Sequence, residues 1–306
     1  MRFWWWRQQI ALYRFLGFDY VQVGLDGIWV PVHQQTIEDT AQLKHAGGRT
    51  YLNEQTGPIA SWEDFEKFPW PDPDAPAATE ALEWCCENVP EDMCLIGMCR
   101  GHFAEWLTWL MGYESLCFAL YDKRDLVDAI AAKLIDIFTR SARRVAAFDR
   151  VKVLWASDDM GFKTQPLISP ADARAYYLPG HKILADIAHK AGMPYILHAC
   201  GNLGELMDDL IDDVKIDGKH SFEDTIEDVR QVKGTYGRRI AMLGGMDVDF
   251  LCRADEQAIR RRVRQTLEVC QAGGGFVLGS GNSVANYVPV ENYLAMMDEA
   301  WRCAGG

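Results

Sequence analysis

The sequence lacks the features of a membrane protein and of a general nucleic-acid-binding protein. No apolar run reaches the roughly 18 residues that a membrane-spanning helix needs, and the first residues lack the apolar core and cleavage site of a signal peptide. Acidic residues (44) outnumber basic residues (31), for a formal net charge of −13, whereas nucleic-acid binding needs a basic surface. We therefore expect a cytoplasmic protein that acts on neither membranes nor nucleic acid. The aromatic stretch up to Phe18 is predicted to pack on the core as a helix, with an interfacial helix as the alternative.

The sequence also lacks a disulfide pattern, a linker and a dinucleotide-binding fingerprint. Its nine cysteines are an odd number at irregular spacing, which favours reduced thiols in the cytosol over a disulfide framework. No early Gly-x-Gly-x-x-Gly is present, which disfavours a dinucleotide-binding sheet. Because no linker or low-complexity segment interrupts the chain, we expect residues 1–306 to form a single domain.

Short apolar segments alternate with long amphipathic ones, which predicts parallel strands joined by crossover helices. The predicted strands are Phe18–Val23, Ile28–Val32, Met93–Met98, Val151–Ala156, Tyr195–Leu197, Val214–Lys219, Arg239–Leu243 and Phe276–Leu278. The predicted helices include Phe103–Met111, Lys123–Ala147, Phe222–Val232, Asp255–Ala272, Val290–Cys303 and one that Ser169 caps and that runs to about Ala191. About eight strands favour an α/β fold of the (β/α)8 TIM-barrel type, with residues 58–76 as an extended insertion.

Polar side chains follow seven successive strands of this predicted barrel, at the end where barrel enzymes carry their active sites. They are Asp26, Arg100, His102, Asp158, Asp159, His198, Cys200, His220, Asp247, Ser280 and Asn282. Loops are polar in general, but this recurrence predicts a site for a small-molecule substrate, with Arg100, His102 and Asp247 among its contacts.

The residues His198 and Cys200 indicate a zinc site. They are two residues apart at the end of a predicted strand, so both side chains point to the same face. Imidazole nitrogen and thiolate sulfur are ligands that zinc prefers. His220 follows the next strand, and the three together would leave a fourth position open on the metal. Packing of two unrelated side chains is the alternative for such a short pair.

Two further groups are candidates for catalysis and substrate binding. Asp159 is a candidate general base, and Asp158 is expected to contact substrate or to orient a ligating histidine. The glycine-rich loop with Ser280, Gly281 and Asn282 lies where barrels often bind anions. A simple glycine-rich turn is the alternative for this loop.

With these residues in place, the chain resembles the uroporphyrinogen decarboxylase superfamily. This TIM-barrel superfamily contains haem-pathway decarboxylases and zinc-dependent methyltransferases that work with corrinoids. The chain is more similar to the methyltransferase branch, because the decarboxylases lack His-x-Cys. The resemblance is strongest in Ser157–Gly161 with Pro166–Pro170, in His198–Asn202, and in Tyr236–Asp247 with Pro289–Asn292.

The resemblance implies that His198 and Cys200 are zinc ligands. The third ligand of the methyltransferases is a cysteine in Gly-Cys-Gly, where this chain has Ser280. Either His220 or an aspartate then completes the coordination, or the metal site is lost. Asp26 lies where the decarboxylases have their essential aspartate. The N-terminal arginine segment of the decarboxylases has no match here, which predicts a missing N-terminal piece. The family also implies a homodimer.

Three functions remain open at this point. The leading one is a methyltransferase that moves a methyl group between a corrinoid protein, or a small methyl donor, and a zinc-activated thiol-like acceptor, with Asp159 orienting or deprotonating. The second is a decarboxylase of a tetrapyrrole or other acidic substrate, in which Asp26 stabilises a cationic intermediate. The third is a non-catalytic binding barrel, since Ser280 replaces the family cysteine and a fold does not guarantee a function.

Overall fold

A curled parallel β-sheet forms the centre of the computed structural model, which describes residues 3–40, 48–53 and 55–305. The sheet of the described residues has seven strands, adjacent in the order β1 (Tyr20–Gly24), β4 (Cys94–Arg100), β5 (Val151–Ser157), β6 (Tyr195–His198), β7 (Gly218–His220), β8 (Ala241–Met246) and β9 (Phe276–Ser280). A separate antiparallel hairpin pairs β2 (Gln34–Ile37) with β3 (Arg49–Leu52). The carboxyl ends of all seven parallel strands therefore lie at one edge.

Helices alternate with these strands and pack against them. The α-helices of the described residues are α1 (Trp4–Phe15), α2 (Trp62–Lys67), α3 (Glu80–Asn88), α4 (Phe103–Met111), α5 (Tyr113–Asp122), α6 (Arg124–Ala146), α7 (Pro170–Tyr176), α8 (Leu178–Lys190), α9 (Val229–Tyr236), α10 (Val248–Arg253), α11 (Glu256–Cys270) and α12 (Val290–Cys303). A 3-10 turn spans Pro76–Thr79 and a π-helix spans Asp209–Val214. None of these helices combines the length and apolar character that a membrane span requires.

Local sequence explains several of these elements. The Ser169 hydroxyl accepts a hydrogen bond from the amide of Asp172, so the predicted cap of α7 is confirmed and satisfies an otherwise unpaired donor. Gly97 lets β4 approach α6 closely, because a Cβ at this position would lie 2.4 Å from Cγ1 of Val145. The predicted insertion 58–76 contains α2, whose first turn is capped by Ser61.

Most predicted elements are confirmed, and α12 has the predicted bounds. The strand predicted at Ile28–Val32 is wrong: Ile28 and Val30 are buried, but the segment pairs with no strand of the described residues. The helix predicted at Phe222–Val232 is wrong over its first seven residues, because α9 begins after the capping residue Asp228. The strand predicted from Val214 begins at Gly218, since Val214 ends the π-helix. The single helix predicted after Ser169 is two helices, α7 and α8.

Helix α12, which follows the edge strand β9, contacts the turn that precedes the other edge strand, β1. Among the described residues, no ladder joins β9 to β1. Gly17, just before β1, lies under the ring of Trp301 in α12, with an ideal Cβ 2.5 Å from its Cζ2 atom. The α/β class with a curled parallel sheet is thus established, and the closed eight-stranded barrel stays a prediction.

Candidate metal centre

Asp159, His198 and Cys200 bring three different donor atoms to one point at the carboxyl edge of the sheet. His198 ends β6, Asp159 follows β5 by two residues, and strand pairing places Ser157 beside His198. Nε2 of His198 lies 3.4 Å from Sγ of Cys200 and 3.3 Å from Oδ1 of Asp159. The three ligand atoms all lie within 4.8 Å of one another, so one metal ion could contact all of them.

Close packing of two loops sets these distances. The amide of Cys200 donates a 3.1 Å hydrogen bond to Oδ1 of Asp159. Gly201 has a φ of +92°, and a Cβ there would lie 2.1 Å from the carbonyl oxygen of Gly161. Only glycine permits both this conformation and this approach. Position 201 therefore determines how closely Cys200 comes to Asp159.

Hydrogen bonds set the proton positions on the two histidines. Nε2 of His220 lies 3.1 Å from the carbonyl oxygen of Ser280, and a carbonyl only accepts, so this nitrogen carries a proton. Burial, with His198 as the second cause, lowers the pKa of His220 to about 3. The ring is therefore neutral at pH 7, and its Nδ1 is an acceptor. Nδ1 of His198 lies 2.6 Å away and donates to it, which leaves the Nε2 lone pair of His198 facing Asp159 and Cys200.

We expected His220 as the third metal ligand. The structure places it behind His198, with one ring nitrogen facing Ser280 and the other facing His198. The group of three donors contains Asp159 in its place. The two remaining expected ligands, His198 and Cys200, are both in that group.

Burial and hydrogen bonding give the two acidic donors opposite proton affinities. Burial, and then the Asp159 carboxylate, raise the pKa of the Cys200 thiol to about 12, so it holds its proton at pH 7. Burial also acts to raise the pKa of Asp159, but its interactions with His198 and Cys200, which include the hydrogen bond from the Cys200 amide, outweigh burial and lower that pKa to about 2. A carboxylate, an imidazole lone pair and a thiol that a bound cation would deprotonate are a donor set that fits zinc.

The loop after β9 reaches this group. Nδ2 of Asn282 donates to Sγ of Cys200 at 3.2 Å, and the Ser280 hydroxyl donates to the carbonyl oxygen of Asn282 at 2.6 Å. A Cβ on Gly281 would lie 2.3 Å from the carbonyl oxygen of Phe222, so only glycine fits there. The structure therefore brings Ser280, Gly281 and Asn282 to the donors, and Asn282 contacts the sulfur itself.

Asp158 and Asp247, which we expected to contact substrate, are both buried and hydrogen-bonded within the protein. Asp158 is completely buried, and its oxygens accept from the amides of Ala104 and Glu105 and from His181 at 2.9–3.0 Å. Burial raises the pKa of Asp158 and lowers that of its partner His181. Asp158 therefore joins β5 to the start of α4 and to α8.

Asp247 is likewise buried, at the start of α10. One of its oxygens accepts from the amide of Phe250 at 3.0 Å and the other from the amide of Asp224 at 2.9 Å. It thus caps a helix and holds the loop after β7. Side chains whose acceptors are occupied in this way offer little to a substrate.

The remaining predicted residues lie on β1 and β4, outside the group of three donors. Arg100 ends β4, and His102 follows it as the residue before α4. His102 Nδ1 lies 2.6 Å from an oxygen of Glu105, and its ring stacks on Trp109. Asp26 follows β1 and acts electrostatically on Arg100.

Sequence reasoning missed two residues of this region, one beside the donor Cys200 and one beside His220. Ser221 Oγ lies 3.6 Å from Sγ of Cys200, and the ring of Trp155 lies 5.7 Å from that of His220. Trp155 is two residues before Ser157 on β5, so strand alternation puts it on the face that leads to the site. That signal was present in the sequence, whereas the position of Ser221 depends on the turn after β7.

Comparisons with known proteins agree with this fold. A family model described as uroporphyrinogen decarboxylase (URO-D) matches residues 43–302. A methyltransferase from Methanosarcina mazei superposes with a TM-score of 0.66 at 19% identity, over 97% of this chain and 84% of that chain. A candidate vitamin-B12-independent methionine synthase from Listeria monocytogenes superposes with a TM-score of 0.51 at 14% identity, over 97% and 83% of the two chains. No curated protein matches the sequence.

Proposed function

The chain belongs to the uroporphyrinogen decarboxylase (URO-D) family, and from that premise we propose that it is a zinc-dependent methyltransferase. The observation that carries the proposal is the convergence of Asp159, His198 and Cys200 within 4.8 Å. Three protein ligands of the N, O and S types and one open position are typical of catalytic zinc. The fold it shares with the methyltransferase of Methanosarcina mazei agrees with this activity.

Asp159, His198 and Cys200 would hold a zinc ion, which would lower the pKa of an acceptor thiol and make it a nucleophile near pH 7. His198 offers Nε2 because His220 and the carbonyl of Ser280 fix its tautomer. Asp159 supplies a carboxylate oxygen and positions Cys200 through the amide hydrogen bond. Asn282 donates to the sulfur of Cys200, which stabilises negative charge on it.

The transfer forms one bond to the methyl carbon and breaks another. The acceptor thiol loses its proton, and its sulfur forms a bond to the methyl carbon of the donor. The bond between the methyl group and the donor breaks, and the donor keeps the electron pair. A methylated corrinoid on a partner protein or a small methyl compound would serve as donor. We also propose that the protein is a homodimer in the cytoplasm and that its sheet closes into an eight-stranded barrel.

Metal analysis tests this proposal directly. Wild-type protein purified without chelator should hold one zinc per chain, with nitrogen, oxygen and sulfur ligands by X-ray absorption. His198→Ala, Cys200→Ser and Asp159→Ala should lose the metal, and they should lose methyl transfer from methylcobalamin to 2-mercaptoethanol with it. Cys303→Ser removes an exposed thiol and is the matched control. A metal-free wild type whose activity survives Cys200→Ser would refute the proposal.

Decarboxylation is the second candidate, favoured by the position of Asp26 beside β1 and its influence on Arg100. Turnover of a porphyrinogen that survives Cys200→Ser but fails in Asp26→Asn would establish it. Binding of corrinoid or thiol without any turnover would support a non-catalytic barrel instead. These outcomes differ from one another and from the outcome expected for a methyltransferase.

A further inference from the structure

Arg100, at the end of β4, is a cationic side chain without a hydrogen-bond or ion-pair partner among the residues that the structure describes. It is half-buried, and its Nε atom is enclosed without a hydrogen-bond partner. Throughout the ranges that the structure describes, no residue forms an ion pair or hydrogen bond with its guanidinium group. Proteins rarely bury a charge that is not paired, because the loss of hydration is costly. Within the described part of the chain, this arrangement leaves the guanidinium group available to a bound ligand.

Arg150 shows how the same chain satisfies an arginine that serves the fold. Arg150 directly precedes β5. Its guanidinium donates at 2.8–3.2 Å to the carbonyl oxygens of Cys86, Val89, Pro90 and Met93. Both terminal nitrogens of its guanidinium therefore donate two hydrogen bonds each. Arg100 has no such set of carbonyls, so a role in holding the fold does not explain its burial.

The backbone at Arg100 is also held in an unfavourable conformation. Its φ is +67°, in the left-handed region that side chains with a Cβ avoid. Gly101 continues this turn with a φ of +76°, and a Cβ at Gly101 would lie 2.8 Å from that of Ala156. Conformations of this kind persist mainly where a functional group must be aimed.

The position of Arg100 relates it to the candidate metal centre. Strand β4 lies between β1 and β5, and Arg100 pairs with Ala156, directly before the Ser157 that pairs with His198. Neighbouring strands are about 4.8 Å apart, so the backbones of Arg100 and His198, two strands apart, are separated by roughly 10 Å. A long side chain such as arginine covers much of that distance.

We propose that Arg100 binds the oxyanion of a small acidic substrate whose reacting atom lies at the metal centre. The planar guanidinium can bind a carboxylate through two parallel hydrogen bonds. Asp26 favours the charged form of Arg100 electrostatically but forms no ion pair with it. The substrate class is therefore a short carboxylic acid, or another compound with an oxyanion a few bonds from its reacting atom. The placement of the substrate's reacting atom at the metal centre rests on the proposed function. The anion subsite at Arg100 does not.

Binding measurements on metal-free protein test the subsite separately from zinc and methyl transfer. By titration calorimetry at constant ionic strength, wild type should bind propionate at least tenfold more tightly than neutral propionamide. Arg100→Gln should abolish this preference, and Arg143→Gln, which removes an exposed arginine from α6, should preserve it. Inorganic phosphate in place of propionate shows which oxyanion fits better. Equal binding of propionate and propionamide by wild type, or a preference that survives Arg100→Gln, overturns the proposal.

Thermal unfolding separates a binding role from a structural one. Without ligand, Arg100→Met removes an unpaired charge and should raise Tm by about 2–4 °C for a chain of this size. Arg150→Met removes a charge whose hydrogen bonds are made within the protein, and it should lower Tm. A lower Tm for Arg100→Met overturns the proposal whatever the calorimetry shows. The zinc content of Arg100→Gln should match that of wild type. If wild type itself holds no zinc, the methyltransferase proposal is refuted, but the anion subsite is not.

Discussion

The Nδ1 atoms of His198 and His220 lie 2.6 Å apart, so one proton is shared between two histidine rings. The carbonyl of Ser280 decides which ring carries this proton, because it requires a proton on Nε2 of His220 and thereby leaves Nδ1 of His220 as the acceptor. The main chain of the β9 loop thereby decides which nitrogen of His198 is free to bind a metal. A second residue that fixes the tautomer of a ligating histidine is a common feature of metal sites.

We predict that His220→Phe changes the tautomer of His198 and weakens metal binding. Without the acceptor Nδ1, His198 loses the bond that holds its proton on Nδ1, and zinc affinity should fall by about 10- to 100-fold. Nitrogen NMR of the metal-free protein reports the tautomer, and competition with a chelator dye reports the affinity. His189→Phe, an exposed histidine paired with Asp217, is the control. An unchanged tautomer in His220→Phe would contradict the relay.

Metal binding should release a proton from Cys200. The pKa of its thiol is raised to about 12, so at pH 7 the metal must displace a proton, and affinity should rise about tenfold per pH unit between pH 6 and 8. Calorimetry in buffers of different ionisation enthalpy counts the protons released. Cys200→Ser, which should not hold the metal, should release no proton on titration with zinc, whereas Cys303→Ser should release as many protons as wild type. A wild-type affinity independent of pH in this range would show that Cys200 is not a ligand.

Asp158→Asn should destabilise the fold far more than an exposed substitution. The buried carboxylate accepts from two amides and contacts His181, and an amide group cannot accept at both ends. We expect a loss of about 2–4 kcal/mol in the free energy of unfolding, measured by urea denaturation. Asp122→Asn, at an exposed position, should change it by less than about 0.5 kcal/mol. Equal effects of the two substitutions would show that the Asp158 bonds contribute nothing.

His220 should make the metal-free protein sensitive to acid. Burial lowers its pKa in the folded state to about 3, below the ordinary histidine value of 6.5, so the unfolded state binds the proton first as the pH falls. The contribution is complete above pH 6.5 and is lost as the pH falls toward 3, at about 1.4 kcal/mol per pH unit. Urea denaturation at pH 7, 6 and 5 should therefore show a shallower decline for His220→Phe than for wild type. His189→Phe should follow wild type, and parallel curves for all three proteins would contradict the assignment.

Gly17→Ala tests the contact between α12 and the start of β1. The residue has a φ of +79°, and its Cβ would overlap the ring of Trp301. We expect a loss of about 1–3 kcal/mol in the free energy of unfolding. In the Trp301→Ala background the overlap is gone and only the backbone strain remains, so the cost of Gly17→Ala should be smaller. The same cost in both backgrounds would show that the ring does not press on Gly17.

The sequence by itself determined the features that depend on neighbouring residues. Strand periodicity put His198 and Cys200 on one face, because residues two apart in a strand point the same way. The cap at Ser169 and the full extent of α12 were readable because caps and helical periodicity are local signals. The alternation of strands and helices determined the α/β class in the same way.

Only the tertiary structure decided which side chain completes the group of three donors. Asp158 and Asp159 are adjacent in sequence, yet one is buried beneath α4 and the other meets His198. Nothing in a two-residue pattern distinguishes them, because the outcome depends on how two separate loops pack at Gly161 and Gly201. The role of His220 was likewise hidden, since the carbonyl that sets its proton comes from a residue 60 positions away. Periodicity determines faces, whereas packing between distant segments determines which atoms on those faces meet.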